Sequence, residues 1–82
     1  MRKQIVMGNW KMNGCLEQVT SLLHELLVLL PEKSGVDCVV LPPAIYLPPV
    51  SELLAGSPMG WGAQNVYPKD AGAYTGELSA LM

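Results

Sequence analysis

The chain has 82 residues, half of them hydrophobic, with seven acidic side chains against five basic ones and a formal net charge of -2. That balance suits a small soluble domain or a part of a larger one, and it excludes a nucleic-acid surface built on excess positive charge. The longest apolar run, Leu26 to Leu30, is far shorter than the ~20 residues a membrane span needs, and the N-terminus lacks the apolar core of a signal peptide, so the chain reads as cytoplasmic with neither membrane nor nucleic acid as partner.

Gln4 to Asn9 is a compact apolar run carrying the branched residues Ile5 and Val6, and the turn residues Asn13 and Gly14 follow it. The combination predicts a strand. Leu16 to Leu30 predicts a helix, because Leu16, Val19, Leu23, Leu26, Leu27 and Leu30 recur at three- and four-residue intervals while Glu17, Gln18, Ser21 and Glu25 take the opposite side. Pro31 ends it. Lys33-Ser34-Gly35 then lead to Val36 to Leu41, mostly apolar on both faces in the manner of a buried parallel strand, which Pro42-Pro43 stop. Leu47 to Ala55 has paired prolines where a first helical turn tolerates them and Gly56 where a left-handed C-terminal cap is wanted, so a second, shorter helix is expected. Met59 to Gln64 is a third strand candidate in which Gly60 and Gly62 imply close backbone packing.

The order β-α-β-α-β with short links implies parallel strands joined by right-handed crossovers, hence the α/β class. Both a doubly wound open sheet and a closed barrel begin this way, and in both, ligands gather at the carboxyl ends of the strands. Cys15 at the helix start and Cys38 in the second strand show no metal-ligand spacing and are expected as free thiols.

The stretch MGNWKMNG, Met7 to Gly14, places a lysine and two asparagines at such a strand end. Strand alternation puts Ile5, Met7, Asn9 and, if the extended conformation continues, Lys11 on one side, with Val6, Gly8 and Trp10 on the other. An ammonium held beside packed side chains is costly unless something negative meets it, and no acid stands nearby in the chain. Either a distant residue supplies the anion in a structural ion pair or a ligand does. The residues alone leave both open, while the carboxyl-end position draws toward the ligand.

GNWKMNG, Gly8 to Gly14, resembles the opening signature of the triosephosphate isomerase family. GAQNVY (Gly62 to Tyr67) and GAYTGELS (Gly72 to Ser79) resemble that family's third strand and following loop, and LPPAIYL (Leu41 to Leu47) matches in position. The resemblance runs over essentially the whole chain, with the motifs in the family's order and spacing. It implies a (β/α)8 barrel of ~250 residues, of which residues 1–82 would be the first three strands, two helices and a loop. It also implies interconversion of dihydroxyacetone phosphate and glyceraldehyde 3-phosphate through an enediolate, a step of glycolysis and gluconeogenesis that uses no cofactor and no metal.

Carried over by position, Asn9 and Lys11 are the substrate-contacting pair of the first strand. Lys11 is the catalytic cation, favouring the negative charge that grows on the carbonyl oxygen as a carbon acid ionises. Asn9 orients the substrate and helps anchor Lys11. The family is itself the case from which the general scheme of a glutamate base and a neutral histidine electrophile under a closing loop was drawn. By the resemblance those groups belong to later strands, beyond Met82, together with the glycine-rich phosphate site, so the segment alone is expected to be inactive. His24, in the middle of the first helix, and Glu77, inside the loop motif, match neither.

Gly72 and Gly76 bracket Ala73-Tyr74-Thr75 in a tight projecting turn with an aromatic near its tip, which composition alone reads as a surface loop. The resemblance implies more: the loop of a homodimer, with Tyr74 in the contact and Thr75 reaching toward the Asn9 and Lys11 region of a second subunit. Met12 would line the receiving pocket, and Gln64 and Asn65 would support the same corner. Three strands of such a barrel leave an apolar inner face and unpaired edges open, so the isolated segment is expected to be unstable, aggregating or dependent on a complementary piece. The alternative function is therefore a noncatalytic segment that acts by association with complementary chains. An open-sheet phosphate-binding module ranks low, because no Gly-x-Gly-x-x-Gly or Walker pattern is present.

Overall fold

The computed structural model describes residues 2–30 and 35–82. The predicted helix stop at Pro31 and the link through Lys33-Ser34 lie outside the described residues. In chain order the elements are β1 (Gln4–Asn9), α1 (Leu16–Leu29), β2 (Val36–Leu41), a 3-10 turn (Ala44–Tyr46), α2 (Leu47–Leu54) and β3 (Gly60–Trp61). The strands form one parallel sheet in the order β1-β2-β3. The chain is thus α/β, with three parallel strands and two helices, the arrangement that opens a (β/α)8 barrel.

Both long strands have the predicted bounds, and their register runs from Gln4 opposite Val36 to Asn9 opposite Leu41. The third is shorter than predicted: two residues, against Met59 to Gln64. Val39 pairs with Gly60 and Val40 with Trp61, after which the Gly62 N–H reaches the Val40 carbonyl at 3.0 Å and regular pairing ends. The close packing expected there is present, since a Cβ on Gly62 would stand 3.3 Å from the Leu41 side chain. Helix α1 begins after extended Cys15 and ends at Leu29, one residue early. Leu30 has left helical geometry, although its N–H still reaches the Leu26 carbonyl at 2.9 Å. Helix α2 carries its proline pair, Pro48 and Pro49, in its first turn and stops before Gly56, whose φ of 78° is the left-handed conformation expected of it. The 3-10 turn before it was not foreseen.

The helices cover one face of the sheet. The core consists of Val19 and Leu23 from α1, Val40 from β2, Val50 and Leu54 from α2, and Met59, with Trp10, Leu26, Leu27, Leu30, Tyr46 and Leu53 packed around it. Leu16, placed by periodicity on the same stripe, is instead exposed. In the register Gly8 lies opposite Val40, so the even residues of β1 share the helix-covered face and Ile5, Met7 and Asn9 share the other with Val39 and Leu41. β1 is exposed along its whole length, and β2, expected to be buried on both faces, is fully buried only at Val40. Cys15 and Cys38 are free thiols.

Candidate functional site

The carboxyl ends of the strands converge on the segment after Asn9. Lys11 has a φ of 56°, and among the described residues it is the one non-glycine with positive φ. This corrects the expectation that the extended conformation continues to Lys11. The chain turns there because the Asn9 side chain captures the next available donor: the Lys11 N–H donates to Asn9 Oδ1 at 2.8 Å. The lysine carbonyl is held from the far side of the sheet, accepting from Gln64 Nε2 at 2.9 Å. The same nitrogen donates to the Leu41 carbonyl at 2.8 Å, and Trp10 N–H donates to that carbonyl at 3.2 Å. Two further side chains fix the rest of the segment. Asn13 Nδ2 donates to the Trp10 carbonyl at 2.8 Å, and the Tyr46 hydroxyl donates to the Gly14 carbonyl at 2.8 Å. Gly14, at φ 119° with the Tyr46 ring 3.3 Å from where a Cβ would sit, is required at that position.

Lys11 lines a cavity of about 230 Å³ with Met12, Pro43, Ala44, Gln64 and Asn65. Among the described residues the one ion pair joins Lys3 Nζ and Asp37 Oδ2 at 3.2 Å, near the opposite end of the sheet, so no carboxylate of the described chain neutralises Lys11. Of the two readings left open by the sequence, the internal ion pair is therefore not found among these residues. No group of three or more His, Cys, Asp or Glu among them could hold a metal ion.

The loop after β3 closes on itself. Tyr67 N–H donates to the Leu78 carbonyl at 2.8 Å, Tyr67 bridges Ser79, and Glu77 N–H donates to the Tyr74 carbonyl at 3.0 Å. Tyr74 is the aromatic expected near the tip of this turn. Its ring folds back over Gly72 and packs on Tyr67, with centroids 4.3 Å apart and planes tilted by 32°. Gly72 permits this, since at φ 147° it carries no Cβ, which would lie 2.5 Å from Tyr74 Cε2. Gly72→Ala is expected to displace the ring from Tyr67 and to destabilise the loop by about 1–3 kcal/mol. Faster limited proteolysis between Tyr67 and Ser79 would register that, and an unchanged cleavage rate would mean that the ring pair does not hold the loop. Thr75 stays exposed, while Gly76 and Leu78 at the loop base help line the Lys11 cavity.

The sequence model of the Triosephosphate isomerase family matches residues 4–82 of the chain. The chain belongs to the triosephosphate isomerase family. It is 52% identical over 82 residues to the triosephosphate isomerase of Legionella pneumophila (strain Lens), covering all of this chain and 33% of that protein. It is 45% identical over 82 residues to the triosephosphate isomerase of Dehalococcoides mccartyi (strain ATCC BAA-2266 / KCTC 15142 / 195), again covering all of this chain and 33% of the relative. It is 46% identical over 84 aligned residues to that of Vibrio cholerae serotype O1 (strain ATCC 39315 / El Tor Inaba N16961), with the same coverage of 100% and 33%. The chain thus spans about a third of the length of the curated relatives it matches.

Of the residues singled out by resemblance to the triosephosphate isomerase family, Asn9, Lys11 and Met12 come together at one strand end, and Gln64 and Asn65 join them there. Tyr74 and Thr75 lie in the neighbouring loop, outside the residues lining that cavity. Tyr46 was missed, because nothing local in LPPAIYL announces a hydrogen bond to a residue 32 positions earlier. His24 is exposed on α1.

Proposed function

We propose that these residues serve an isomerase that interconverts dihydroxyacetone phosphate and glyceraldehyde 3-phosphate through an enediolate, with residues 1–82 contributing the substrate-binding first strand of a (β/α)8 barrel. Membership of the triosephosphate isomerase family supports the reaction class. The observation that carries the reading is Lys11, an exposed cation without a carboxylate partner among the described residues, clamped at the carboxyl end of a parallel sheet beside a cavity. There its charge favours the oxyanion that forms as the substrate carbon loses its proton, and the hydrogen bonds to its N–H and carbonyl fix the backbone that carries it. Asn9 spends its oxygen on the Lys11 N–H, which leaves its Nδ2 to orient the substrate. The chemistry needs proton transfer only, and we assign it no cofactor and no metal. The base and the electrophile come from outside residues 1–82, the segment by itself is inactive, and the enzyme works in the cytoplasm.

The test is turnover of a complete barrel carrying these residues, made by joining them to the remaining two thirds of the Legionella pneumophila relative, before and after removal of the Lys11 ammonium. Undiminished turnover without that ammonium overturns the assignment.

The complete protein is a homodimer in this reading. The loop from Gly72 to Gly76 docks on a second subunit, with Tyr74 in the contact, Thr75 directed at the partner's Asn9 and Lys11 corner, and Met12 lining the receptor. Met12 is 96% exposed in the single chain, which suits a side chain that awaits such a contact. Thr75→Arg in the complete barrel should weaken the dimer at least tenfold, because it sets a long second cation against the partner's Lys11 in a closed contact. Sedimentation velocity reads the shift toward monomer, and an unchanged profile counts against this docking. A second reading, association with complementary chains without catalysis, is favoured by the open apolar residues Ile5, Val6 and Met7 of β1. Absence of turnover in the joined barrel would select it.

A further inference from the structure

We propose that Tyr67 is a positioning residue for the interface loop: its ring holds Tyr74 against the loop's own stem and so sets, before a second subunit arrives, the turn that presents Thr75. The proposal rests on the reading of Gly72 to Gly76 as the dimer contact.

Little else orders this stretch. Every residue from Pro68 to Leu78 is exposed, and Ala71, Gly72, Ala73 and Gly76 have no side chain larger than a methyl to pack. Among the described residues no backbone–backbone hydrogen bond involves 68–73. The bonds that exist lie at the stem and on the C-terminal side, from the Tyr67 N–H to the Leu78 carbonyl and from the Glu77 N–H to the Tyr74 carbonyl. Gly72 and Gly76 widen the range of conformers that must be lost when the turn enters a receptor.

The ring pair supplies the missing restraint. Tyr67 stands on the stem, where its backbone is bonded to Leu78 and bridges Ser79. With centroids 4.3 Å apart, its ring and that of Tyr74 close the segment 68–73 between two held points. Gly72 beneath the Tyr74 ring leaves room for this closure. Tyr74 is still 37% exposed, so one face rests on Tyr67 while the remainder is open to a partner. A loop ordered in advance binds more tightly, because its ordering no longer opposes association. Tyr67 thereby acts on a contact from the stem, through Tyr74.

The experiment uses the joined complete barrel, with sedimentation velocity over a dilution series giving the dimer dissociation constant. Tyr67→Ala should raise that constant about tenfold, the scale expected when a side chain and its turn are immobilised only on docking. Tyr67→Phe keeps the ring and should stay within about twofold of the parent. In the Tyr74→Ala background, Tyr67→Ala should raise the constant less than about twofold further, because a group that acts through Tyr74 has nothing left to hold. Equal losses in both backgrounds, or no loss with Tyr74 present, would overturn the proposal. Should Tyr67→Ala fail to fold, Tyr67→Leu keeps apolar bulk on the stem without an aromatic face, and the same two backgrounds decide. An unchanged dimer in Thr75→Arg would bring down the docking of this loop and the proposal with it. A weakened Thr75→Arg dimer beside an unaffected Tyr67→Ala sinks the proposal only.

Discussion

Lys11→Ala in the complete barrel should lower kcat/KM by at least about 10²–10³, the loss that follows removal of one preorganised donor to a developing oxyanion. A full positive charge places the effect at the upper end. The fold should be spared, because the side chain is exposed, forms no ion pair among the described residues and contributes nothing to the core. Thermal or denaturant unfolding should therefore differ from the parent by no more than about 0.5 kcal/mol. Alanine keeps the same positive φ, so the substitution separates charge from backbone geometry. Lys11→Met, nearly as long but neutral, should lose as much activity. Lys11→Arg should recover only part of it, since a planar fork does not place its charge where a compact ammonium does. Steady-state kinetics together with a melting curve decide the matter: a variant that is stable but slow supports the assignment, and a variant of near-normal speed removes it.

The 82 residues alone should be inactive and should not persist as monomers. The chain exposes 6393 Å², whereas a compact globule of 8.8 kDa exposes about 4,800 Å². Its radius of gyration is 14.2 Å against about 12 Å for a domain of this length. The excess, roughly 1,600 Å² on this one chain, is about twice the ~800 Å² that each partner gives to a standard protein interface. Part of it is apolar, since Ile5, Val6 and Met7 are each more than half exposed. β1 also has a neighbour on one side only, which leaves a row of backbone donors and acceptors to pair with other chains. Sedimentation should show aggregates or oligomers, and heating should give no single cooperative transition. Addition of the remaining two thirds of the Legionella pneumophila isomerase as a separate chain should bring back both solubility and turnover. A homogeneous 8.8 kDa species with a sharp melt would overturn this expectation.

Much of the fold was legible because it depends on local chemistry. Branched residues in Gln4–Asn9 and Val36–Leu41, with turn residues and prolines beyond them, define strands whose bounds need no knowledge of their neighbours. The heptad-like spacing of Val19, Leu23, Leu26 and Leu27 in the same way defines the buried side of α1. What stayed hidden depends on distant partners. No neighbour of Lys11 in sequence announces that Gln64 will hold its carbonyl, and without that bond the extended reading was the natural one. The third strand was overestimated because its residues are apolar enough to pair, while a side-chain amide, not the backbone, continues the bonding past Gly62. Glycine spacing marks Tyr74 as an aromatic near the tip of a turn, but it cannot reveal that Tyr67 offers its ring a resting place. The residues of the candidate site were visible through a family signature, and their conformation was not.

The Leu41 carbonyl oxygen receives two hydrogens, one from the Trp10 backbone and one from the Gln64 carboxamide, and so has no lone pair to spare. It works as a keystone between two spans of chain that never touch each other in sequence. Wobble in either span must be shared by the other, and the Trp10 indole, packed beside the core, stands where such correlated motion would alter its optical signal.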